Sequence, residues 1–405
     1  MLSTRLNHLA TFVALSLAPA ASGATTITVW HDMEKASANF LQALADEFSA
    51  ASGAHVELQG IGDVQLKSSL VKMAANRQLP DIVLCPADYV GLADVLRLSK
   101  IPLALQTHAI AREHWQTARV NGRVYGVPVM AGNHLMMFYN RRLVSSPALT
   151  WDELELEQKR RKASHPYVIG WDVNNAYWFA PFLQYFGGPV LSGRMVGVDA
   201  KPLRQAFEFY KGLTDRGLVD RHCDSTCSHE QFFSARLPYI IEGDWFVATA
   251  RNKLGEQLGL AKLPKIGGRA MPAMTSTHVL LFPEYSLTGP KGAILTAFAR
   301  FFLSAKMQQR AWSDAERIPV DRSVLRAFYL RADPLHKAML DALEGALPMP
   351  SEPVMAFVWE GLRRSITGYL SGNLNIDEAL VITKKTIDDE MQKSQQTHSS
   401  PSGGR

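Results

Sequence analysis

Extended segments and amphipathic helices alternate through the first part of this chain, and their order restricts the fold more than any other sequence feature. Three stretches have the alternating or apolar character of strands: residues 26–30, 55–58 and 80–84. Between the first two, residues 35–52 carry an apolar face at helical spacing and end at Gly53, which suits a C-terminal helix cap. Leu66 and Leu70 mark a second such face. Strand, helix, strand, helix, strand is the order of a parallel α/β sheet.

The same alternation returns in the second half of the chain, from about residue 167 onward. A chain of 405 residues also exceeds what one ordinary core accommodates, so we expect two domains. Ligands of open α/β sheets bind beyond the carboxyl ends of the strands. The loops at residues 30–35 and 85–89 follow two of the expected strands, and both are therefore candidates for one edge of a binding cleft.

The N-terminus has the pattern of a cleavable secretion signal. Arg5 and His8 precede an apolar run over residues 9–20, which is too short to span a bilayer. Small residues follow, so we expect residues 1–24 to be a signal peptide and the mature protein to be free in the periplasm. Residues 394–405 are rich in Ser, Gln and Gly, and we expect them to form a disordered tail.

Charge and motif patterns argue against a nucleic-acid partner and against most enzyme classes. The formal net charge is +5, and basic residues are interspersed with acidic ones, so no basic stripe stands out. Gly60 and Gly62 begin a phosphate-loop pattern that is not completed, and no nucleophile elbow occurs. No cofactor is expected. A periplasmic glycan hydrolase needs only two carboxylates at a suitable separation, and it stays open as the alternative of another class.

Three cysteines lie beyond the expected cleavage site. In an oxidising compartment, Cys223 and Cys227 are candidates for a local disulfide. The competing hypothesis is a metal site in which both thiols act with His222 and His229, but this spacing matches no familiar zinc pattern. We therefore expect no metal site, and we expect Cys85 to be a buried free thiol.

Ordered segments throughout the mature chain resemble a known family. They lie at residues 27–30, 34–35, 80–82, 121–122, 125–128, 138–140, 150–153, 242–245, 349–350 and 358–363. In this order they resemble the family 1 extracellular solute-binding proteins of ABC importers, which include the maltose binders. The resemblance implies a type II periplasmic-binding fold: two α/β lobes, each a mainly parallel sheet flanked by helices. It implies one lobe at residues 25–130 plus 280–318 and another at 131–279 plus 319–393, with crossovers near 130–132, near 278–279 and after 319.

The same resemblance implies a set of ligand-binding residues. A sugar site requires aromatic faces for the ring and polar groups for its hydroxyls. Glu34 and Lys35 match the family's acid and lysine on the first loop, and Asp88 and Tyr89 occupy the loop after the third strand. The remaining expected ligand residues are Asn133, Asn175, Tyr177, Trp245, Trp359 and Arg363.

The resemblance implies a binding protein, not an enzyme, that closes over a di- or oligosaccharide and passes it to the transmembrane permease subunits of an ABC importer. We expect it to act as a monomer. Asn133 and Asn175 stand where maltose binders have acids, so a sugar phosphate stays open as an alternative. Residues 30–34 also resemble the glycerol-3-phosphate binders of the same superfamily, which keeps that ligand open as well. Two structural alternatives also stand: Trp178 could replace Tyr177 in the cleft, and Trp359 could pack inside its lobe.

Overall fold

The computed structural model describes residues 24–161, 166–188 and 200–399, and two β-sheets organise them. The chain begins with β1 (Thr26–His31), α1 (Lys35–Ser52), β2 (His55–Gly60), α2 (Asp63–Ala75) and β3 (Ile82–Pro86). Helix α1 buries Phe40, Leu44 and Phe48. It ends at Gly53, whose φ of 72° lets its N–H reach the carbonyl of Ser49. The predicted helix is therefore confirmed from its apolar face to its cap.

The chain then passes through the first sheet and into the second. Helix α3 (Arg112–Thr117) and the pair β4 (Arg119–Val120) and β5 (Arg123–Val124) lead to β6 (Gly126–Gly132) and β7 (Leu135–Asn140). The elements around the second sheet are α4 (Trp151–Arg161), β8 (Ile169–Gly170), α5 (Ala176–Tyr185), α6 (Ala200–Asp215), α7 (Ser225–Phe233), β9 (Tyr239–Gly243), α8 (Val247–Leu254) and β10 (Leu258–Ala261).

The last part of the chain serves both sheets. It comprises β11 (Met274–Leu281), α9 (Gly292–Phe302), α10 (Ala305–Ala315), β12 (Ile318–Pro319), α11 (Arg322–Tyr329), α12 (Pro334–Ala342), β13 (Leu347–Pro348), α13 (Met355–Leu370) and α14 (Ile376–Ser399). Helix α14 continues through residues 394–399, which were expected to be disordered. The rest of that expected tail, residues 400–405, and the expected signal peptide up to residue 23 lie outside the described residues.

Strand pairing is mixed in both sheets. The first sheet has the order β12-β6-β11-β3-β1-β2, and there β2 and β3 run parallel to β1 whereas β11 is antiparallel to β3 and β6. The second has the order β10-β7-β9-β8, with only β8 and β9 parallel. The expectation of mainly parallel sheets is therefore wrong. Because β6 leaves the first sheet for the second and β11 enters it from the second, the two strands run in opposite directions.

Buried side chains form two clusters, and the first of them also includes residues of the second sheet such as Phe138 and Ile240. We call the parts of the chain built on the first and second sheets the first and second lobe. Val29 and Val279 belong to the first cluster, and Phe179 and Leu362 belong to the second. Within the described residues, the chain passes between the sheets at 133–134, between β10 and β11, and after β12. Several connections of this kind let two rigid bodies move about a shared hinge. Among these same residues, no helix is long and apolar enough to cross a membrane.

Candidate ligand-binding site

Four aromatic side chains of the second lobe are in mutual contact, and three of them were predicted from the sequence to stack on a ligand. The ring centroid of Tyr177 is 6.1 Å from that of Trp245 and 6.2 Å from that of Trp359. Trp178 contacts Tyr177 and Trp245 at 6.0 and 6.1 Å. The rings meet at tilted and edge-on angles, which their quadrupoles favour. We call Tyr177, Trp245 and Trp359 the aromatic wall.

Short-range contacts hold the aromatic wall in place. Asn175 is the N-cap of α5, and its Oδ1 accepts a hydrogen bond from the backbone N–H of Tyr177 at 3.0 Å. Trp245 lies directly over Gly243, because a Cβ on this glycine would be 2.2 Å from the indole ring. Asn175 and Gly243 therefore set where two of the three rings stand, and the side chain of Asn175 is engaged as a helix cap.

Burial separates Trp178 from the aromatic wall. Trp178 is 8% exposed, and its Nε1 donates a hydrogen bond to the carbonyl of Ile241 at 2.8 Å, as a buried indole usually does. Tyr177, Trp245 and Trp359 are each only partly buried. These three rings keep surface that a ligand can cover, whereas Trp178 packs as a core residue. The geometry thus favours Tyr177 over Trp178, and it favours a cleft position for Trp359 over a place inside its lobe.

The Tyr177 hydroxyl connects the aromatic wall to the chain that joins the lobes. It donates a hydrogen bond to the backbone carbonyl of Asn133, which lies between β6 and β7. The side chain of Asn133 is buried, and its φ is 47°. Burial raises the pKa of Tyr177 well above its ordinary value, and the carboxylates of Asp244 and Asp88 raise it further. Because Asp88 belongs to the first lobe, its carboxylate acts electrostatically on a residue of the aromatic wall in the second lobe.

Lys67, Asp88 and Tyr89 form a polar group on the first lobe. The Nζ of Lys67 lies 3.0 Å from Asp88 Oδ2 and 4.5 Å from the centroid of the Tyr89 ring. The side chain of Asp88 is 8% exposed, and Tyr89 is 5% exposed. The structure thus brings the predicted Asp88 and Tyr89 together around a cation that sequence reasoning missed. Lys67 follows the carboxyl end of β2, so the argument that selected the loops after β1 and β3 could have found it.

Glu34 reaches across to the second lobe. Its Oε2 is 3.5 Å from Oγ1 of Thr249 on α8. Burial and, to a smaller extent, the Glu242 carboxylate raise the pKa of Glu34 to about 7, and Arg317 opposes the rise. Lys35, the next residue, is exposed at the start of α1. Glu34 of this predicted pair therefore lies at the junction of the lobes.

Arg363 is engaged on the surface of its own helix. Its Nε and Nη2 donate to the two carboxylate oxygens of Glu360, each at 2.9 Å, and Arg364 pairs with the same carboxylate. Its side chain is 56% exposed. Trp359 and Arg363 are one helical turn apart, as expected. The guanidinium of Arg363, however, is held by its ion pair with Glu360, three residues earlier on α13. The structure does not bring Arg363 into contact with the aromatic wall.

Cys223 and Cys227 form a disulfide at the start of α7. Asp224, the N-cap of α7, accepts a hydrogen bond from the N–H of Cys227 at 2.9 Å. Because the sulfurs are bonded to each other, neither is a thiolate that could bind a metal with the neighbouring histidines. Throughout the described ranges, no group of His, Cys, Asp or Glu is arranged to hold a metal ion. Cys85 is a buried free thiol, and burial raises its pKa well above the ordinary value.

The sequence of this chain is similar to the sequences of known binding proteins. The model of the family described as bacterial extracellular solute-binding protein matches residues 34–222. The maltotriose-binding protein of Pyrococcus abyssi is 25% identical over 375 residues, which cover 89% of this chain and 81% of that protein. The maltodextrin-binding protein MdxE of Bacillus subtilis is 22% identical over 426 residues, which cover 95% and 97%. These relatives are named for what they bind.

Solved structures share the fold over nearly the whole chain. The maltose/maltodextrin-binding domain MalE of Bdellovibrio bacteriovorus, bound to maltotriose, has a TM-score of 0.82 at 21% identity and covers 91% of this chain and 100% of its own. The maltotriose-binding protein of Thermus thermophilus, also bound to maltotriose, has a TM-score of 0.81 at 20% identity and covers 90% and 100%. The two-lobed α/β fold expected from the sequence is confirmed.

Proposed function

We propose that this chain is a bacterial extracellular solute-binding protein that closes its two lobes over a neutral oligosaccharide and delivers it to a membrane permease of the ABC type. The observation that carries this proposal is the aromatic wall, in which three partly exposed rings meet. Flat aromatic faces suit the apolar faces of sugar rings. The relatives named as maltotriose- and maltodextrin-binding proteins support the same class of ligand.

Charges near the aromatic wall favour a neutral ligand over a sugar phosphate. Lys67 is paired with Asp88, and the buried Arg317 lies beside Asp244. A phosphate would have to displace these carboxylates from their cations and would meet their negative charge. A sugar hydroxyl both donates and accepts hydrogen bonds, so it can join such a pair without breaking it. The glycerol-3-phosphate alternative is therefore the less favoured ligand.

Closure of the lobes would bury the ligand between the aromatic wall and the polar group of Lys67, Asp88 and Tyr89. A ligand that contacts both lobes binds the closed form better and shifts the equilibrium toward it. We propose lobes close to the expected residues 25–130 plus 280–318 and 131–279 plus 319–393, with the end of β6 (to Gly132) and the start of β11 (from Met274) added to the first lobe, because both strands pair in the first sheet. Cleavage of residues 1–24 would release a monomer into the periplasm, and the closed form would then dock on the permease.

Binding of maltotriose to the purified mature chain, measured by isothermal titration calorimetry, tests this function. Trp245→Ala and Trp359→Ala should each weaken binding by about tenfold or more, because buried aromatic anchors carry much of the energy at binding sites. Tyr329→Ala removes an aromatic ring that is 52% exposed at the end of α11, and it should bind as the unaltered protein does. Equal affinity of all variants would contradict the role of the aromatic wall.

Two further measurements separate the alternatives. Small-angle scattering should show a smaller radius of gyration with maltotriose than without it, and an unchanged radius would contradict hinge closure. Titration with glycerol 3-phosphate should give no heat of binding, and a tighter complex than with any sugar would overturn the choice of a neutral ligand. Chromatography of the recovered maltotriose should show it intact, whereas shortened products would indicate a hydrolase.

A further inference from the structure

A group of buried charged and polar side chains lies where the segments that join the lobes come together. Within the first sheet, β6 pairs with both β11 and β12, so these three strands lie side by side there. Arg317, just before β12, is 1% exposed, and Asp244, just after β9, is also 1% exposed. His134 and His278 are buried with them. We call Asp244, Arg317, His134 and His278 the junction cluster.

The contacts of the junction cluster join all its segments. Arg317 Nη2 donates a hydrogen bond to Nδ1 of His278 at 2.9 Å, and Arg317 Nη1 lies 3.8 Å from Asp244 Oδ2. The backbone N–H of His134 donates to Asp244 Oδ1 at 3.2 Å. Since Nδ1 of His278 accepts from a guanidinium, this ring is neutral. Burial, with Arg317 beside it, lowers the pKa of His278 well below its ordinary value.

The central ion pair is not closed to hydrogen-bond distance. At 3.8 Å, Nη1 of Arg317 and Oδ2 of Asp244 attract each other but do not share a hydrogen bond, and among the described residues both atoms lack any such partner. A buried pair held in this way is a poor stabiliser, since desolvating both charges costs more than the attraction returns. If β12 and the end of β9 moved about 1 Å closer together, these two atoms would come within hydrogen-bond distance. The pair is therefore sensitive to the relative position of the lobes.

Two residues of the aromatic wall are attached directly to the junction cluster. Trp245 follows Asp244 in the chain, and Tyr177 donates its hydroxyl hydrogen to the carbonyl of Asn133, the residue before His134. The Asp244 carboxylate also lies close to the backbone of Gly132, because a Cβ on this glycine would be 2.2 Å from Oδ2 of Asp244. A shift of the hinge backbone thus reaches both rings.

We propose that Asp244 and Arg317 are positioning residues. Through them, the positions of the rings in the aromatic wall depend on how far the lobes have closed. The proposal rests on the proposed function, because the aromatic wall is taken as the ligand surface. Neither residue has to touch the ligand. Asp244 holds the turn that carries Trp245 against the β6–β7 connection, and Arg317 ties Asp244 to β12 of the other lobe.

A double-mutant cycle on maltotriose affinity tests the coupling. Asp244→Asn should weaken binding by about tenfold or more in the unaltered background and by less than about threefold when Arg317→Gln is already present, as expected for coupled residues. Should Arg317→Gln fail to fold, Arg317→Lys completes the cycle with the charge retained. Lys262→Gln breaks the exposed pair with Glu344 and serves as the control, with unchanged affinity. Independent effects of the two substitutions on affinity, or lower stability at unchanged affinity, would overturn the proposal.

A ligand-free measurement separates this proposal from the proposed function. Asp244→Asn should change the tryptophan bands in the near-ultraviolet circular dichroism of the free protein, and this change in the tryptophan bands should vanish when Trp245→Phe is introduced first. Lys262→Gln should leave the spectrum unaltered. If maltotriose and the other sugars do not bind, the proposed function fails, yet this spectral coupling still decides whether Asp244 positions Trp245. A spectral change that persists without Trp245 would overturn the positioning role.

Discussion

Replacement of Glu34 by glutamine should stabilise the protein more at pH 8 than at pH 5. In the folded protein, burial and the nearby Glu242 carboxylate raise the pKa of Glu34 from its ordinary 4.5 to about 7. Between these values the folded state holds a proton that the unfolded state has released. Rising pH therefore destabilises the fold across this window, and the loss is complete above pH 7. Glutamine keeps the shape and cannot ionise, so the variant escapes the loss.

The structure bounds the size of this effect. The interval from 4.5 to about 7 corresponds to about 3 kcal/mol, at about 1.36 kcal/mol for each pH unit. Because the side chain is only partly buried, solvent reduces this figure, and we expect a gain of about 1–2 kcal/mol at pH 8. At pH 5, about half a pH unit into this window, most of the loss has not yet occurred, and the unaltered protein and Glu34→Gln should differ by less than about 1 kcal/mol.

Urea unfolding at both pH values measures the effect. Glu256→Gln is the matched control, because Glu256 is an exposed carboxylate just after α8, and its effect should be the same at both pH values. A Glu34→Gln variant that is less stable than the unaltered protein at pH 8 would refute the reasoning. Such a result would mean that the ionised carboxylate is stabilised at the junction, by Arg317 and Thr249 together.

Three further substitutions test local parts of the structure by urea unfolding. Gly132→Ala should cost about 2 kcal/mol more than Gly53→Ala, because both glycines have a positive φ but only Gly132 has a carboxylate where the new Cβ would lie; equal costs would contradict the close approach. Replacing Cys223 and Cys227 together by alanine should lower the free energy of unfolding by about 2 kcal/mol, because the disulfide that closes a short loop is lost. If reductant left the stability of the unaltered protein unchanged, this expectation would be contradicted. Asp321→Ala should cost about 1 kcal/mol, because its Oδ1 caps α11; no loss would mean that the cap contributes nothing.

The local sequence pattern was sufficient to predict those elements whose structure depends on residues close together in the sequence. The apolar face of α1 follows from helical spacing, and Gly53 follows from the backbone conformation that a helix end requires. The pairing of β11 was not predictable in the same way. Its partners β3 and β6 lie more than a hundred residues earlier in the chain, and their order depends on how the lobes connect. The wrong expectation of mainly parallel sheets arises there.

Residue type and family resemblance agree on the aromatic part of the candidate site, and the structure brings its rings together. Tyr177, Trp245 and Trp359 are large rings with few rotatable bonds, so the backbone position nearly fixes where each ring lies. Arg363 shows the opposite case, because a long flexible side chain can turn to any acid within reach. Glu360, three residues before Arg363, was visible in the sequence as such an acid, and it holds the guanidinium.

At Glu34 the family resemblance and the structure suggest different roles. The resemblance implies a carboxylate that binds a sugar hydroxyl, whereas the structure turns this carboxylate toward Thr249 of the other lobe. These roles predict different outcomes for Glu34→Gln. If Glu34 binds the ligand, maltotriose affinity should fall about tenfold at pH 5 and pH 8 alike, since a hydrogen-bonding group is altered. If it acts between the lobes, affinity should hardly change at pH 5, where the carboxyl is already neutral, and should change only above pH 7. Titrations at the two pH values therefore distinguish a ligand contact from a contact between lobes, and the observed geometry favours the second.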